Sequence, residues 1–202
     1  MSDSRVTAIF GGTFNPVHNG HLSIARYLFS QTDVTRIIFV PVNRPSHKEE
    51  PALIQPRDRL EMLRLGISEL DDIPGEVCID TCDIDRGGLS YTLDTVADLS
   101  RRYAVRGKPR FVIGDDLAGT LTQWHRWSEL REAVHFIVFR RTVAEGPIPL
   151  PPHCRATTLE NRIVDISSSE IRELVQSGRD VSALVPGSVN NYIVENGLYS
   201  TL

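Results

Sequence analysis

The sequence predicts an α/β fold: a doubly wound, mostly parallel sheet with helices on both faces and a short helical segment at its C-terminal end. Two observations carry that expectation. Strand-length runs rich in Val, Ile and Phe alternate with amphipathic helical stretches, and the runs are apolar almost throughout. A strand that is apolar on both sides belongs to a sheet covered on both faces.

The runs are "VTAIF" (6–10), "RIIFVP" (36–41), "RFVIG" (110–114), "HFIVF" (135–139) and "RIVDI" (162–166), with a weaker one at "EVCID" (76–80). Between them, apolar residues recur three or four apart, as one face of a helix requires. Leu22, Ala25, Leu28 and Phe29 form one such stripe, Leu60, Leu63, Ile67 and Leu70 a second, and Leu93, Val96, Ala97 and Leu99 a third. "EGPIPLPPH" (145–153), with four prolines, reads as a surface connection. Beyond "ISSSEIREL" the chain reads as short helices broken at Gly178 and Pro186 and stopped at Gly197. They are expected to close one domain spanning residues 1–202.

Composition narrows the function. A length of 202 residues suits one large domain, and 22 basic against 26 acidic residues leave a net charge of −4. A nucleic-acid or membrane-surface partner usually leaves a basic excess, so neither is expected. Local basic residues can still hold an acidic small molecule. The three cysteines, Cys78, Cys82 and Cys154, are odd in number and irregular in spacing, which suits reduced thiols better than a disulfide framework or a zinc site. No apolar stretch reaches the roughly 18 residues that a membrane span needs. The polar start "MSDS" is unlike a signal peptide, and a cytoplasmic location is expected.

In a doubly wound sheet, ligands sit beyond the carboxyl ends of the strands. Gly11, Pro41 and Gly114 fall there. "GGTFNPVHNGHL" (11–22) follows the first strand directly. Gly11 and Gly12 let the backbone turn tightly and approach a ligand, yet neither a Walker loop nor a G-x-G-x-x-G fingerprint is present. His18 and His21, three apart with Gly20 between, precede the first helical stripe. A helix N-terminus favours anions, and imidazoles beside it can donate to phosphate oxygens. Local chemistry leaves two readings open, exposed turn histidines or a phosphate site.

The whole stretch resembles the H-x-G-H signature of the nucleotidyltransferase superfamily, with the "GGTF-x-P" lead of the nicotinate-nucleotide adenylyltransferase family. Other segments are similar to that family in the expected order, from about residue 6 to 199. "DISSSEIREL" (165–174) is like its I-S-S-T-x-I-R motif, with Ser169 for the usual Thr. Read on its own, that segment is a capping box, Ser167 capping and Glu170 reaching back. Both readings can hold together. "RPSHKEEP" (44–51) matches a P-P-H-K loop, with Ser46 for a proline, and places Lys48, with His47 beside it, near the triphosphate. "SYTLDT" (90–95), "IGDD" (113–116) and "TQWH" (122–125) match segments that surround a pyridine nucleotide.

The resemblance implies a Rossmann-like fold and a set of contacts. His18, His21, Lys48 and Arg172 would act on the reacting phosphates. ATP would contact Gly11, Gly12, Thr13, Phe14, His18, Gly20, His21, Ser167, Ser168 and Arg172. Nicotinate mononucleotide would contact Thr92, Gly114, Asp116, Trp124, His125 and Arg141, with Trp124 stacked on the ring and the N–H groups of Thr92 and His125 on its carboxylate. Trp127 reads as packing. Mg²⁺ is expected to arrive with ATP, and no protein metal ligand is named. The sequence leaves monomer and homodimer equally open.

Overall fold

Alternation along each strand sorts the core into two layers. Ala8, Phe10, Ile37, Phe39, Val112 and Ile137 turn to one side, and Ile9, Ile38, Val40, Phe111, Ile113, Phe136 and Val138 to the other. A strand's side chains point to opposite faces in turn, so an unbroken apolar run demands a helical layer on each side. Each such side chain contributes about 1.5–3 kcal/mol on full burial.

The computed structural model describes residues 5–46, 54–141, 146–162 and 166–200. The first half runs β1 (Thr7–Gly12), α1 (Asn19–Gln31), β2 (Arg36–Pro41), β3 (Arg44–Pro45), α2 (Pro56–Ile67), β4 (Glu76–Ile79), α3 (Cys82–Arg86), β5 (Leu89–Ser90) and α4 (Thr92–Arg102). The second half adds β6 (Arg110–Gly114), α5 (Asp115–Ala118), α6 (Trp127–Ala133), β7 (His135–Phe139), β8 (Ala156–Thr158), α7 (Ser168–Gln176) and α8 (Gly187–Glu195). Six strands form one sheet in the order β4–β2–β1–β6–β7–β8, and every pairing is parallel. β3 and β5 form a separate parallel pair. The first layer is covered by α1, α2, α7 and α8 and the second by α3, α4 and α6.

Strand order reverses direction between β1 and β6. In open α/β sheets the crevice at that switch point, outside the carboxyl ends, is where ligands bind. Gly12 ends β1 and Gly114 ends β6.

One expectation needs correction, and another falls mostly outside the described residues. Among the described residues the last sheet strand is Ala156–Thr158, which the sequence reading did not pick out. Of the run 162–166, Arg162 and Ile166 lie in no strand, and residues 163–165 fall outside the described residues. Three residues with a half-exposed edge suffice for pairing with β7, because an edge strand needs only one neighbour. The buried face of α2 is also rotated from the Leu60–Leu63–Ile67–Leu70 stripe: Asp58, Arg59, Met62, Leu63 and Gly66 turn inward. Leu70 lies beyond the helix end and is still buried. Close approach explains the rotation, since a Cβ on Gly66 would stand 2.9 Å from Val17 Cγ1.

The C-terminal helices follow the expected breaks. Gly178 (φ 68°) and Gly197 (φ 58°) take the left-handed conformation that glycine adopts at little cost after a helix. Ser167 caps α7 by accepting from Glu170 N at 3.1 Å. Among the described residues no helix is long and apolar enough to cross a membrane. The cysteines are free, and burial pushes the Cys82 thiol up to about 12, far from thiolate chemistry.

Candidate active site

A cleft of about 210 Å³ opens at the switch point. Its floor is made by the strand ends Phe10–Gly12 and Phe111–Gly114, and its first wall by Thr13, His18, Gly20 and His21. Ser90, Thr92, Thr95, Trp124, Arg140, Arg141, Asn161 and Ser167–Ser169 complete the lining. Three sequence segments expected to meet substrate therefore share one cleft.

The two histidines are locked to each other. His18 is the N-cap of α1, and its N–H donates to His21 Nδ1 at 3.2 Å while the two rings lie 3.7 Å apart. An imidazole nitrogen that accepts carries no proton, so the proton of the His21 ring sits on Nε2. His18 is 5% exposed. Burial first, and the nearby Arg141 charge second, lower its pKa to about 3. It is a neutral imidazole at physiological pH. Its Nδ1 is buried and lacks a hydrogen-bond partner among the described residues. A buried, unmatched polar nitrogen is costly unless a ligand meets it.

The loop between β1 and α1 is fastened from outside the cleft. Arg59 Nη1 donates to Thr13 O (2.8 Å), Arg172 Nη1 to Asn15 O (2.9 Å) and Ser168 Oγ to Pro16 O (2.9 Å). Tyr199 OH donates to Asn15 Oδ1 (3.0 Å), and Asn19 N to Leu184 O (2.9 Å). Outward carbonyls are thus met by side chains from α2 and the C-terminal segment.

The expected site residues fall in several places. Gly11, Gly12, Thr13, His18, Gly20, His21, Ser167, Ser168, Thr92, Gly114, Trp124 and Arg141 line the cleft. Phe14 does not. Its ring is fully buried beneath Gly12, edge-on to His21 at 5.0 Å, and a Cβ on Gly12 would come within 2.9 Å of it. Arg172 is turned to Asn15 O and to Ser169 Oγ (3.2 Å), behind the cleft wall. Asp116 lies beside the cleft in an ion pair with Arg141 at 3.4 Å, and the side chains of both cross over Gly114. His125 is exposed and stacks on Tyr91 with ring centroids 4.3 Å apart. Trp124 is half-buried, its Nε1 donating to Thr120 Oγ1 at 3.4 Å, and Trp127 packs on Phe136 as expected of a structural residue. His47 and Lys48 lie outside the described residues.

Several cleft residues were not singled out from sequence. Asp83, 2% exposed, accepts from Thr95 Oγ1 (2.5 Å) and Arg86 Nη1 (2.9 Å), tying α3 to α4 beside Thr92. The signal available was Thr95 itself, one helical turn after Thr92. Arg140 and Asn161 exchange hydrogen bonds, Arg140 N to Asn161 Oδ1 and Asn161 Nδ2 to Arg140 O, both 2.9 Å. No local pattern announces a pair twenty-one residues apart.

An imidazole pair at the mouth of α1, set at the switch point of a parallel sheet ordered β4–β2–β1–β6–β7–β8, suits a nucleotide phosphate. The family model described as Cytidylyltransferase-like matches residues 9–174, and the chain belongs to that family. Its curated relatives define it further. One from Borrelia hermsii (strain HS1 / DAH) is 39% identical over 192 residues, covering 95% of this chain and 96% of its own, and bears the name "Probable nicotinate-nucleotide adenylyltransferase". One of the same name from Streptococcus pyogenes serotype M1 is 33% identical, covering 98% of this chain and 90% of its own. Within the wider family, the chain groups with the nicotinate-nucleotide adenylyltransferases. The fold is also that of Plasmodium falciparum nicotinic acid mononucleotide adenylyltransferase complexed with NaAD, at a TM-score of 0.79 and 18% identity, covering 96% of this chain and 97% of the other.

Proposed function

We propose that the chain transfers the adenylyl group of ATP to nicotinate mononucleotide, giving nicotinic acid adenine dinucleotide and pyrophosphate. One observation carries the reading: one cleft at the switch point is lined both by His18 and His21, at the mouth of α1, and by Thr92 and Trp124. The first pair suits phosphates, and the second suits an aromatic ring with an acidic substituent. The names of the full-length relatives, and of neighbours complexed with NaAD and APC, support the same substrates.

In the reaction, an oxygen of the mononucleotide 5′-phosphate bonds to the α-phosphorus of ATP. The bond from that phosphorus to the bridging oxygen breaks, and pyrophosphate leaves with the electron pair. A phosphate monoester is already a nucleophile, so the chain needs to supply none. Its work is positioning and charge stabilisation. His21 through Nε2, and His18 beside it at the helix mouth, act at the α-phosphate region. The helix N-terminus at Ser167 and Ser168, with Lys48 and Arg172, acts toward the departing pyrophosphate. Arg172 stabilises that end through the loop it fastens at Asn15. Asp116 and Arg141 act on the mononucleotide side, beside Gly114.

Among the described residues, no group of three or more His, Cys, Asp or Glu side chains is placed to hold a metal ion. The triphosphate would bring Mg²⁺ with it, a cation that favours phosphate oxygens and water over an all-protein cage. The acid mononucleotide is favoured over the amide, because backbone N–H groups at Thr92 and His125 would meet a carboxylate but face the amide's own donors. Residues 1–202 act as one domain, in the cytoplasm.

Purified protein given ATP, Mg²⁺ and nicotinate mononucleotide is expected to release pyrophosphate in step with dinucleotide. Absence of both products would overturn the proposal.

A further inference from the structure

Two parts of the cleft wall far apart in sequence are joined by a buried cation. Arg59, on α2, is 1% exposed. Its Nη1 donates to Thr13 O (2.8 Å) and Val42 O (2.7 Å), and its Nη2 to Asn43 O (3.4 Å). Asn43 extends the connection. Its N–H donates to Ser90 Oγ at 3.0 Å and its Nδ2 to Gly88 O at 2.9 Å. The parallel pairing of Arg44 with Leu89 and Pro45 with Ser90 runs alongside. Tyr91 then caps α4, whose first residue, Thr92, lines the cleft. A hydrogen-bonded path therefore runs from the phosphate loop at Thr13, through Arg59 and Asn43, to the Ser90–Thr92 turn.

Burying a guanidinium is costly unless its donors are met. Here carbonyls from two separate loops meet its two terminal nitrogens, a planar geometry an ammonium cannot reproduce. The position touches neither expected substrate but fixes both of the loops that do.

We propose that Arg59 and Asn43 are positioning residues that hold the phosphate loop and the Ser90–Thr92 turn at one separation, so that the two bound nucleotides meet in line. The inference rests on the adenylyl-transfer reading above. Each substrate would still find its own half of the site when the link is cut, but the reacting atoms would be misplaced. A displacement of about 1 Å can cost about 10²-fold in rate.

The test uses Arg59→Lys and Asn43→Ala, the second of which removes the bond to Gly88 O and leaves the buried arginine in place should Arg59→Lys fold poorly. ATP and nicotinate mononucleotide are titrated separately by calorimetry, and turnover is measured at saturation. Asn43→Ala is expected to bind each substrate alone within about threefold of wild type while kcat falls about 10- to 10²-fold. A kcat within about twofold of wild type, or a parallel loss of both separate affinities, would overturn the proposal. Amide hydrogen exchange gives a readout that needs no substrate. Either variant is expected to speed exchange in residues 12–14 and 88–92 together and leave α6 unchanged. Loosening of only one segment would contradict the link. Wild-type protein without turnover would overturn the adenylyl-transfer reading, and exchange would still decide the link.

Discussion

The main-chain N–H of His18 donates to Nδ1 of His21 at 3.2 Å, so the cap of α1 also sets the proton position of the neighbouring imidazole. The bond fixes the His21 proton on Nε2, the nitrogen through which the ring can donate.

His21→Ala is expected to fold and to lose about 10²–10³ in turnover, the usual cost of removing one transition-state donor. His21→Gln, whose amide reaches about as far as Nε2, should retain more activity than the alanine variant. Steady-state kinetics on both variants checks this, and equal losses would remove Nε2 as the acting atom.

His18 shapes the pH dependence of stability. Its folded pKa, about 3, lies below the unfolded value near 6.5, with burial the main cause and Arg141 the second. Between those values the unfolded chain takes up a proton that the folded chain refuses. The penalty is absent above about pH 6.5 and grows as the pH falls toward 3, on the order of 2 kcal/mol by pH 5. Urea unfolding at pH 7 and pH 5 should show a smaller acid loss for His18→Asn than for wild type. Identical losses would mean that His18 is not buried neutral.

Gly114→Ala separates activity from stability. The new Cβ would stand 2.2 Å from Asp116 Oδ1 and 2.7 Å from Arg141 Cδ, both on half-exposed side chains that can swing away. Melting should shift little, while KM for the mononucleotide rises. Gly75→Ala should do the reverse. There the Cβ meets Phe29 Cε1 at 2.2 Å and the fixed carbonyl of Thr35 at 2.8 Å, so stability should fall by about 1–3 kcal/mol. Thermal melts and kinetics on the two variants decide it.

Trp124→Ala is expected to raise KM for the mononucleotide by roughly 10- to 100-fold, since stacking one base-like ring is worth about 1–3 kcal/mol. ATP affinity, titrated alone, should hold. An equal loss for both substrates would place Trp124 in packing rather than on the ring.

Much of this was legible locally. "GGTFNPVHNGHL" places its turn and its histidines by short-range geometry, and "ISSSE" caps its helix through a contact three residues long. What escaped depended on distance. Arg59 looks like an exposed helical arginine until Thr13, forty-six residues away, supplies its carbonyl. Arg172 reads as a phosphate ligand, and only the folded loop turns Asn15 O toward it. β8 was missed because "ATT" has no apolar run. Its pairing with β7, not its own sequence, makes Ala156–Thr158 a strand.

The most direct measurement is the ratio of kcat/KM for nicotinate mononucleotide to that for the amide mononucleotide, with ATP as adenylyl donor and pyrophosphate and dinucleotide both quantified. Equimolar products and a strong preference for the acid are expected from a cleft that Thr92 and Trp124 line together with His18 and His21. No dinucleotide from either substrate, or equal efficiency with both, would contradict the assignment.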